Sequence, residues 1–213
     1  MNRLLLLTGI AAGAIAGWLA FDPPAPRRAA ASSSLPPVAK TLAPGEGICT
    51  ECHVGSVLND GVGSVVITNV PAPYMPGQVY PITVTVERTA KSRWGFELTV
   101  LKDSDNTIAG ALANTTAFTG TQSFNGRSYM SHTTNNIGSD GTFQGQASGV
   151  WTFNWTAPAA GAGTITFYAA GNAANGNGNQ LGDNIYTTNV SSMEGTATDV
   201  SATTWGKIKM LYR

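Results

Sequence analysis

The chain is poor in the side chains on which most enzymes and nucleic-acid-binding proteins depend. Only 11% of its 213 residues are charged, the formal net charge is zero, and it has two cysteines and two histidines. No part of the sequence is rich in Lys and Arg, so the chain lacks the positively charged surface on which nucleic-acid binding depends. We therefore predict no nucleic-acid partner. A Gly-x-Ser-x-Gly turn is absent, and the close carboxylates Asp103 and Asp105 lie in turn-like sequence. Nothing in the composition therefore indicates a hydrolase.

Both scarce thiols and one of the two imidazoles stand in a single pentapeptide. Cys49, Cys52 and His53 form Cys-x-x-Cys-His, which is the attachment signature of a c-type haem. Two thiols at this spacing can form thioethers to the vinyl groups of one porphyrin, and the next residue then places an imidazole under the iron. We therefore predict one covalent haem c, held by Cys49 and Cys52, with His53 as the proximal iron ligand.

Other uses of the two cysteines fit the sequence less well. A structural zinc ion needs four ligands, and the only other thiol or imidazole in the chain is His132. A thioredoxin-like redox pair is expected in a βαβ context, which the sequence lacks. A disulfide across two intervening residues would close a very small ring and add little stability. These three alternatives are weaker than haem attachment.

The sequence leaves the sixth iron ligand open. His132 is the only other histidine, so ligation of the iron by two imidazoles would require it. Met130 is the runner-up, and its thioether would raise the reduction potential. A third alternative is an open or water-bound sixth position that would admit a small ligand. His132 also has a purely structural interpretation, as a hydrogen-bonding residue of the fold.

The N-terminal part indicates export. Arg3 precedes an apolar run at residues 4–21, and a proline-rich stretch ends it. We predict that residues 1–30 are a signal peptide or, because a run of about 18 residues is at the lower limit for a membrane span, an N-terminal membrane anchor. The protein is then periplasmic or extracellular, with membrane attachment as an alternative. Residues 31–44, rich in Ala, Ser and Pro, are predicted to be a linker that does not order itself.

The remaining sequence predicts an all-β fold after a haem attachment segment at residues 45–60. Ile82, Val84 and Val86 alternate with threonines, so one face of that strand is buried and the other is wet. Many short strands between polar turns favour an antiparallel, immunoglobulin-like β-sandwich over residues 61–200, followed by a C-terminal segment, 201–213, with one short helix near Trp205. The predicted strands are 65–70, 80–86, 94–101, 150–155, 163–170 and 185–190. The predicted core comprises Ile82, Val84, Val86, Phe96, Leu98, Trp155, Ile165 and Phe167.

A segment rich in Asn and Gly, residues 171–184, has two interpretations. Its side-chain oxygens make a calcium site conceivable. A long hairpin connection, in which Asn and Gly adopt positive φ values, explains the same composition and is favoured because Asp183 is the only carboxylate in the segment.

Several short motifs, taken in order, resemble reeler (reelin-type) domains. They are Tyr74-Met75-Pro76-Gly77-Gln78-Val79-Tyr80, Gly95-Phe96, Ser131-His132-Thr133 and Phe153-Asn154-Trp155-Thr156-Ala157-Pro158. The Cys-x-x-Cys-His motif, preceded by Ala43-Pro44-Gly45-Glu46-Gly47, resembles a bacterial branch of that family, in which an exported reeler-like sandwich follows an N-terminal haem c motif. The resemblance runs from about Pro44 to the C-terminus. It implies a fold and an exported setting, and it does not imply a defined activity.

Three functions remain open at this point. The leading one is an exported monohaem c-type cytochrome that carries electrons to an unidentified redox partner. The second is an extracellular binding or adhesion module in which haem is structural or sensory. The third is a haem enzyme, such as a peroxidase, with an open sixth position. A six-coordinate low-spin iron favours the first, and an open high-spin iron favours the other two.

Overall fold

The computed structural model describes residues 32–55, 57–134 and 140–196. In these residues two antiparallel sheets pack face to face, and the helical content is a single 3-10 turn at Cys49–Glu51. The sheet orders are β1-β2-β7-β4 and β5-β6-β3-β8-β9. The strands are β1 (Gly63–Thr68), β2 (Val79–Arg88), β3 (Arg93–Lys102), β4 (Ala111–Asn114), β5 (Thr119–Phe124), β6 (Arg127–His132), β7 (Ser148–Thr156), β8 (Ile165–Ala174) and β9 (Asn184–Ser192). The prediction of an all-β antiparallel sandwich is confirmed.

The core lies between the two sheets and is built from the alternating positions of the strands. On β2, Ile82, Val84 and Val86 are fully buried, and the threonines between them are half-buried. Every residue of the predicted core is buried in the structure. Trp155 is central to it, because its ring contacts Phe167 at a centroid separation of 4.9 Å and its Nε1–H donates to the Ala109 carbonyl at 2.9 Å.

Strands β4, β5 and β6 were not among the predicted strands. They are short, and β4 and β5 are edge strands of their sheets with mostly exposed side chains, so the hydrophobic alternation that marks a half-buried strand is weak there. Asn125 and Gly126 connect β5 to β6 with positive φ values of 49° and 75°, as a two-residue hairpin turn requires. The turn signal at these two residues is thus the sequence feature that specifies the hairpin.

Both faces of β3 are covered, and this decides where the candidate site lies. Residues 94–101 are all buried, and because side chains alternate along a strand, Glu97 and Thr99 point away from the core residues Phe96 and Leu98. The segment 32–55 covers that outer face. Ala39 N–H donates to Glu97 Oε1 at 2.8 Å.

The segment predicted to be an unordered linker therefore has ordered contacts over residues 32–44. Thr41 and Ala43 are buried, and Thr41 Oγ1 donates to Glu46 Oε2 at 2.6 Å. Glu46 in turn accepts hydrogen bonds from Arg127 at 2.7 Å and from Tyr129 at 2.8 Å. The composition of residues 32–44 did not indicate this order, because hydrogen bonds to polar side chains on the sheet, rather than burial of apolar side chains, anchor the segment.

Two terminal predictions fall outside the described residues. These are the signal peptide or anchor at residues 1–30 and the C-terminal segment 201–213 with its short helix near Trp205. Within the described ranges, no helix has the length and apolar character needed to cross a membrane.

Candidate functional site

A cavity of about 280 Å³ lies where the Cys-x-x-Cys-His segment meets the outer face of the five-stranded sheet. It opens over the start of β3 and the end of β8, and the loop between β8 and β9 closes one side. The structure brings both cysteines and both histidines of the chain to this one cavity. Its wall includes Ser32, Pro36, Pro37, Lys40, Cys49, Cys52, His53, Arg93, Trp94, Gly95, Glu97, His132, Asn172 and Asp183.

The two thiols are free and are set by the 3-10 turn between them. Cys52 N–H and His53 N–H both donate to the Cys49 carbonyl, at 3.1 and 2.9 Å, so one turn presents all three side chains to the cavity. Burial in the half-covered wall raises the pKa of the Cys49 thiol to about 12, and the nearby Glu97 adds to this. A protonated thiol is a poor nucleophile and a poor metal ligand. In this environment Cys49 is therefore held as the protonated thiol.

His53 is held in one orientation by a buried carboxylate. Its Nδ1 lies 2.6 Å from Asp183 Oδ2, and Asp183 is only 2% exposed. A carboxylate only accepts hydrogen bonds, so this contact places a proton on Nδ1, and in the neutral imidazole the lone pair is then on Nε2. Asn172, also in the cavity wall, places its side-chain amide 3.1 Å from Nδ1 and 3.5 Å from Nε2. An imidazole with its lone pair on Nε2 is in the tautomer that a metal ion binds at that atom.

The segment is also fixed by its backbone. Val54 N–H donates to the Gln180 carbonyl at 2.9 Å, and Gly182 N–H donates to the Val54 carbonyl at 2.8 Å. A Cβ at Gly55 would lie 2.7 Å from Gly182 Cα, so this close approach requires glycine. The loop between β8 and β9 is therefore the support on which the pentapeptide sits.

His132, the predicted sixth ligand, ends β6 and lines the same cavity. It is buried, which lowers the pKa of its imidazole and keeps it neutral. Its Nδ1 lies 3.1 Å from both the amide nitrogen and the carbonyl oxygen of Phe96, and its Nε2 lies 3.4 Å from the Ser32 carbonyl. The absence of a side chain at Gly95 makes room for the ring, because a Cβ there would come within 2.8 Å of His132 Cε1. These backbone contacts agree with the structural interpretation of His132, whereas its place in the cavity wall agrees with ligation.

Met130, the runner-up ligand, lies elsewhere. It is fully buried in the core between the sheets and is not among the described residues that line the cavity.

The Asn-rich loop forms its own hydrogen bonds. The side-chain oxygens of Asn175, Asn177 and Asn179 accept the backbone N–H groups of Asn177, Asn179 and Leu181, at 3.1, 3.0 and 2.7 Å. These are successive Asx turns, as expected for a hairpin connection. Over the described ranges, no three His, Cys, Asp or Glu side chains are grouped to hold a metal ion. The calcium alternative stays a prediction without a contact that supports it.

Two functional candidates were missed by the sequence reading. Glu97 lies in a predicted strand and received no role from the sequence, yet it is 2% exposed, and burial raises the pKa of its carboxyl to about 8. Asp183 was noted only as the one carboxylate of the Asn/Gly segment. Its contact with His53 spans 130 positions, so no local pattern could have revealed it. Asn172 adds a buried Oδ1 with no hydrogen-bond partner in the cavity wall.

Comparison with known proteins bears on the fold alone. No family model matches the chain, and no curated protein matches it. Similar solved structures include the Reelin-N domain of F-spondin, at 18% identity over 63% of this chain and 87% of that one, with a TM-score of 0.42. The human F-spondin reeler domain (fragment 1) is 18% identical over 62% and 89% of the two chains, with a TM-score of 0.40. A cohesin module from Clostridium perfringens is 13% identical over 63% and 97%, with a TM-score of 0.39. At these values the similarity says nothing about activity or partners.

Proposed function

We propose that the protein is an exported monohaem c-type cytochrome that carries electrons. One observation supports this above the others. Cys49, Cys52 and His53 face a single cavity, and Asp183 Oδ2 lies 2.6 Å from His53 Nδ1 and so orients the ring. The same pentapeptide in a chain with an N-terminal export signal agrees with attachment of haem outside the cytoplasm.

The residues of the cavity fit the group that the motif implies. Cys49 and Cys52 would hold haem c by thioethers, and His53 would bind its iron. The bound group would supply a one-electron ferric–ferrous couple. Around it the chain provides Pro36 and Pro37 as apolar parts of the cavity wall, and the absence of a side chain at Gly95 leaves room for the His132 ring. The cavity wall also contains a buried side-chain oxygen, Asn172 Oδ1, that has no hydrogen-bond partner.

His132 is our proposed sixth ligand. It is the other imidazole in the cavity wall, and burial keeps it neutral, as metal binding requires. Its Nε2 would have to leave the Ser32 carbonyl, a contact of 3.4 Å that is long for a hydrogen bond. Met130 is less well supported because it lies in the core.

A second candidate function follows from the same contacts. If His132 keeps both ring nitrogens on the backbone, the iron would have an open sixth position, and the protein would bind a small ligand as a sensor or an enzyme. The contact of Nε2 with the Ser32 carbonyl at 3.4 Å, which ligation would break, is the observation behind this alternative.

Two measurements test the proposal. The chain, produced in a host with haem c maturation, is expected to retain haem stain on a denaturing gel, and the Cys49→Ser plus Cys52→Ser variant is expected to lose it. Stain that persists in the variant would refute covalent attachment through these thiols. The retained haem is expected to be low-spin in the oxidised protein.

The His132→Ala variant then separates the two functions. We expect it to become high-spin and to bind carbon monoxide, whereas the control Met130→Leu keeps the low-spin spectrum. An unchanged spectrum in His132→Ala would exclude His132 as a ligand, and a high-spin wild-type protein would favour the sensor or enzyme.

A further inference from the structure

The carboxylate of Asp183 has no catalytic assignment, yet it makes the shortest hydrogen bond to either histidine. Its Oδ2 lies 2.6 Å from His53 Nδ1, and its Oδ1 accepts the Asn175 N–H at 3.2 Å. The side chain is 1% exposed, against 17% for His53. Both oxygens thus act as acceptors in a site that excludes water, which is where a hydrogen bond to a charged acceptor is strongest.

We infer that Asp183 is a positioning residue for the proximal imidazole, which fixes the tautomer of His53 and strengthens Nε2 as a donor to iron. The inference rests on the proposed haem site. A carboxylate partner on the second nitrogen of a metal-binding histidine orients the ring and raises its basicity. A more basic ligand stabilises the more highly charged ferric iron. Asp183 therefore lowers the reduction potential of the bound haem.

Other contacts hold the pentapeptide against the loop, so positioning of His53 can be distinguished from support of the loop. The pentapeptide is already docked to the loop by the two backbone hydrogen bonds between Val54 and residues Gln180 and Gly182. The loop also has its own Asx turns, which do not involve Asp183. In Asp183→Asn the single amide oxygen can accept from either His53 or the Asn175 N–H, so one of these hydrogen bonds is lost together with the charge. The backbone hydrogen bonds of Val54 should still hold the segment in place.

The test is the midpoint potential of haem-loaded Asp183→Asn. Changes to the outer partners of metal ligands alter metal binding by roughly 10–100-fold. We expect the balance between oxidised and reduced protein to move about tenfold toward the reduced form, which is a rise of about 59 mV for one electron.

Asp60→Asn is the matched control. Asp60 lies on the same side of the sandwich and accepts hydrogen bonds from Arg88, Tyr186 and Asn184, but it does not line the cavity among the described residues. Its potential should equal that of the wild type. An unchanged potential in Asp183→Asn, or an equal shift in Asp60→Asn, would overturn the inference.

A second measurement does not depend on the haem or on the folding of Asp183→Asn. In the full-length Cys49→Ser plus Cys52→Ser chain, imidazole nitrogen chemical shifts at pH 8 should show the proton of His53 on Nδ1. A proton on Nε2 would refute the assignment. A wild-type chain that carries no haem would instead refute the proposed function, and the tautomer of His53 would still decide the contact with Asp183.

Discussion

Glu97 makes the stability of the sandwich depend on pH in a direction opposite to that of most carboxylates. Burial raises the pKa of its carboxyl from 4.5 to about 8, although the Ala39 N–H at 2.8 Å partly favours the charged form. Between these two values the folded chain holds a proton that the unfolded chain has released. The free energy of unfolding therefore falls as pH rises, and the loss is complete once pH exceeds the folded pKa.

The magnitude follows from the same values. Each unit of pKa difference corresponds to about 1.4 kcal/mol, so the whole effect is on the order of 4–5 kcal/mol. Buried His132, whose pKa is lowered, has the opposite effect at acid pH, so the useful window is pH 7–9. A folded pKa of about 8 predicts a loss of about 1.4 kcal/mol across that window.

The assay is urea unfolding, followed by tryptophan fluorescence, at pH 7, 8 and 9. The background is the Cys49→Ser plus Cys52→Ser chain, which removes the titration of the thiols and would remove fluorescence quenching by the proposed haem. Glu97→Gln should reduce the slope of stability against pH in this window, whereas the exposed control Glu87→Gln should keep it. Equal slopes in the Glu97→Gln variant and its parent would show that Glu97 is charged in the folded protein and would refute the reasoning.

Two further substitutions test the packing. Trp155→Ala should lower the free energy of unfolding by about 3–5 kcal/mol, as for other large-to-small core changes. The control Phe124→Ala, at a half-exposed residue of an edge strand, should change it by no more than about 0.5 kcal/mol. Both variants are compared by denaturant unfolding, and a cost below about 1 kcal/mol for Trp155→Ala would contradict the core assignment. Gly95→Ala should lower the free energy of unfolding by about 1–3 kcal/mol through overpacking and should shift the NMR resonances of the His132 ring, because the new Cβ would lie 2.8 Å from His132 Cε1. Unchanged stability together with unchanged resonances would contradict that contact.

Local patterns were enough to predict the sandwich and its core. The alternation at Ile82, Val84 and Val86 specified which face of β2 is buried, and Trp155 was correctly placed in the core. The hairpin of β5 and β6 was missed because its strands lack that alternation; β6 is stabilised by pairing with β3, and β5 by pairing with β6. A strand at an edge or beside a covered outer face has no hydrophobic signature of its own.

The site was only partly accessible from the sequence. Cys49, Cys52 and His53 are adjacent along the chain, so a spacing argument could group them. The burial of Glu97 depends on residues 32–55 folding over the sheet, which their composition did not indicate. The contact between His53 and Asp183 depends on the position of a loop more than a hundred residues away, so only the tertiary structure could reveal it.

The long separation between His53 and Asp183 also sets the order in which the site can be completed. The pentapeptide precedes all nine described strands, so during synthesis it emerges before them, while Asp183 and β9 follow near the end of the sandwich. Until the β8–β9 hairpin pairs with the sheet, the thiols at residues 49 and 52 have no loop beside them. Covalent modification of the two cysteines is thus least hindered on the nascent chain, and docking of the last hairpin closes the pocket around whatever has been attached.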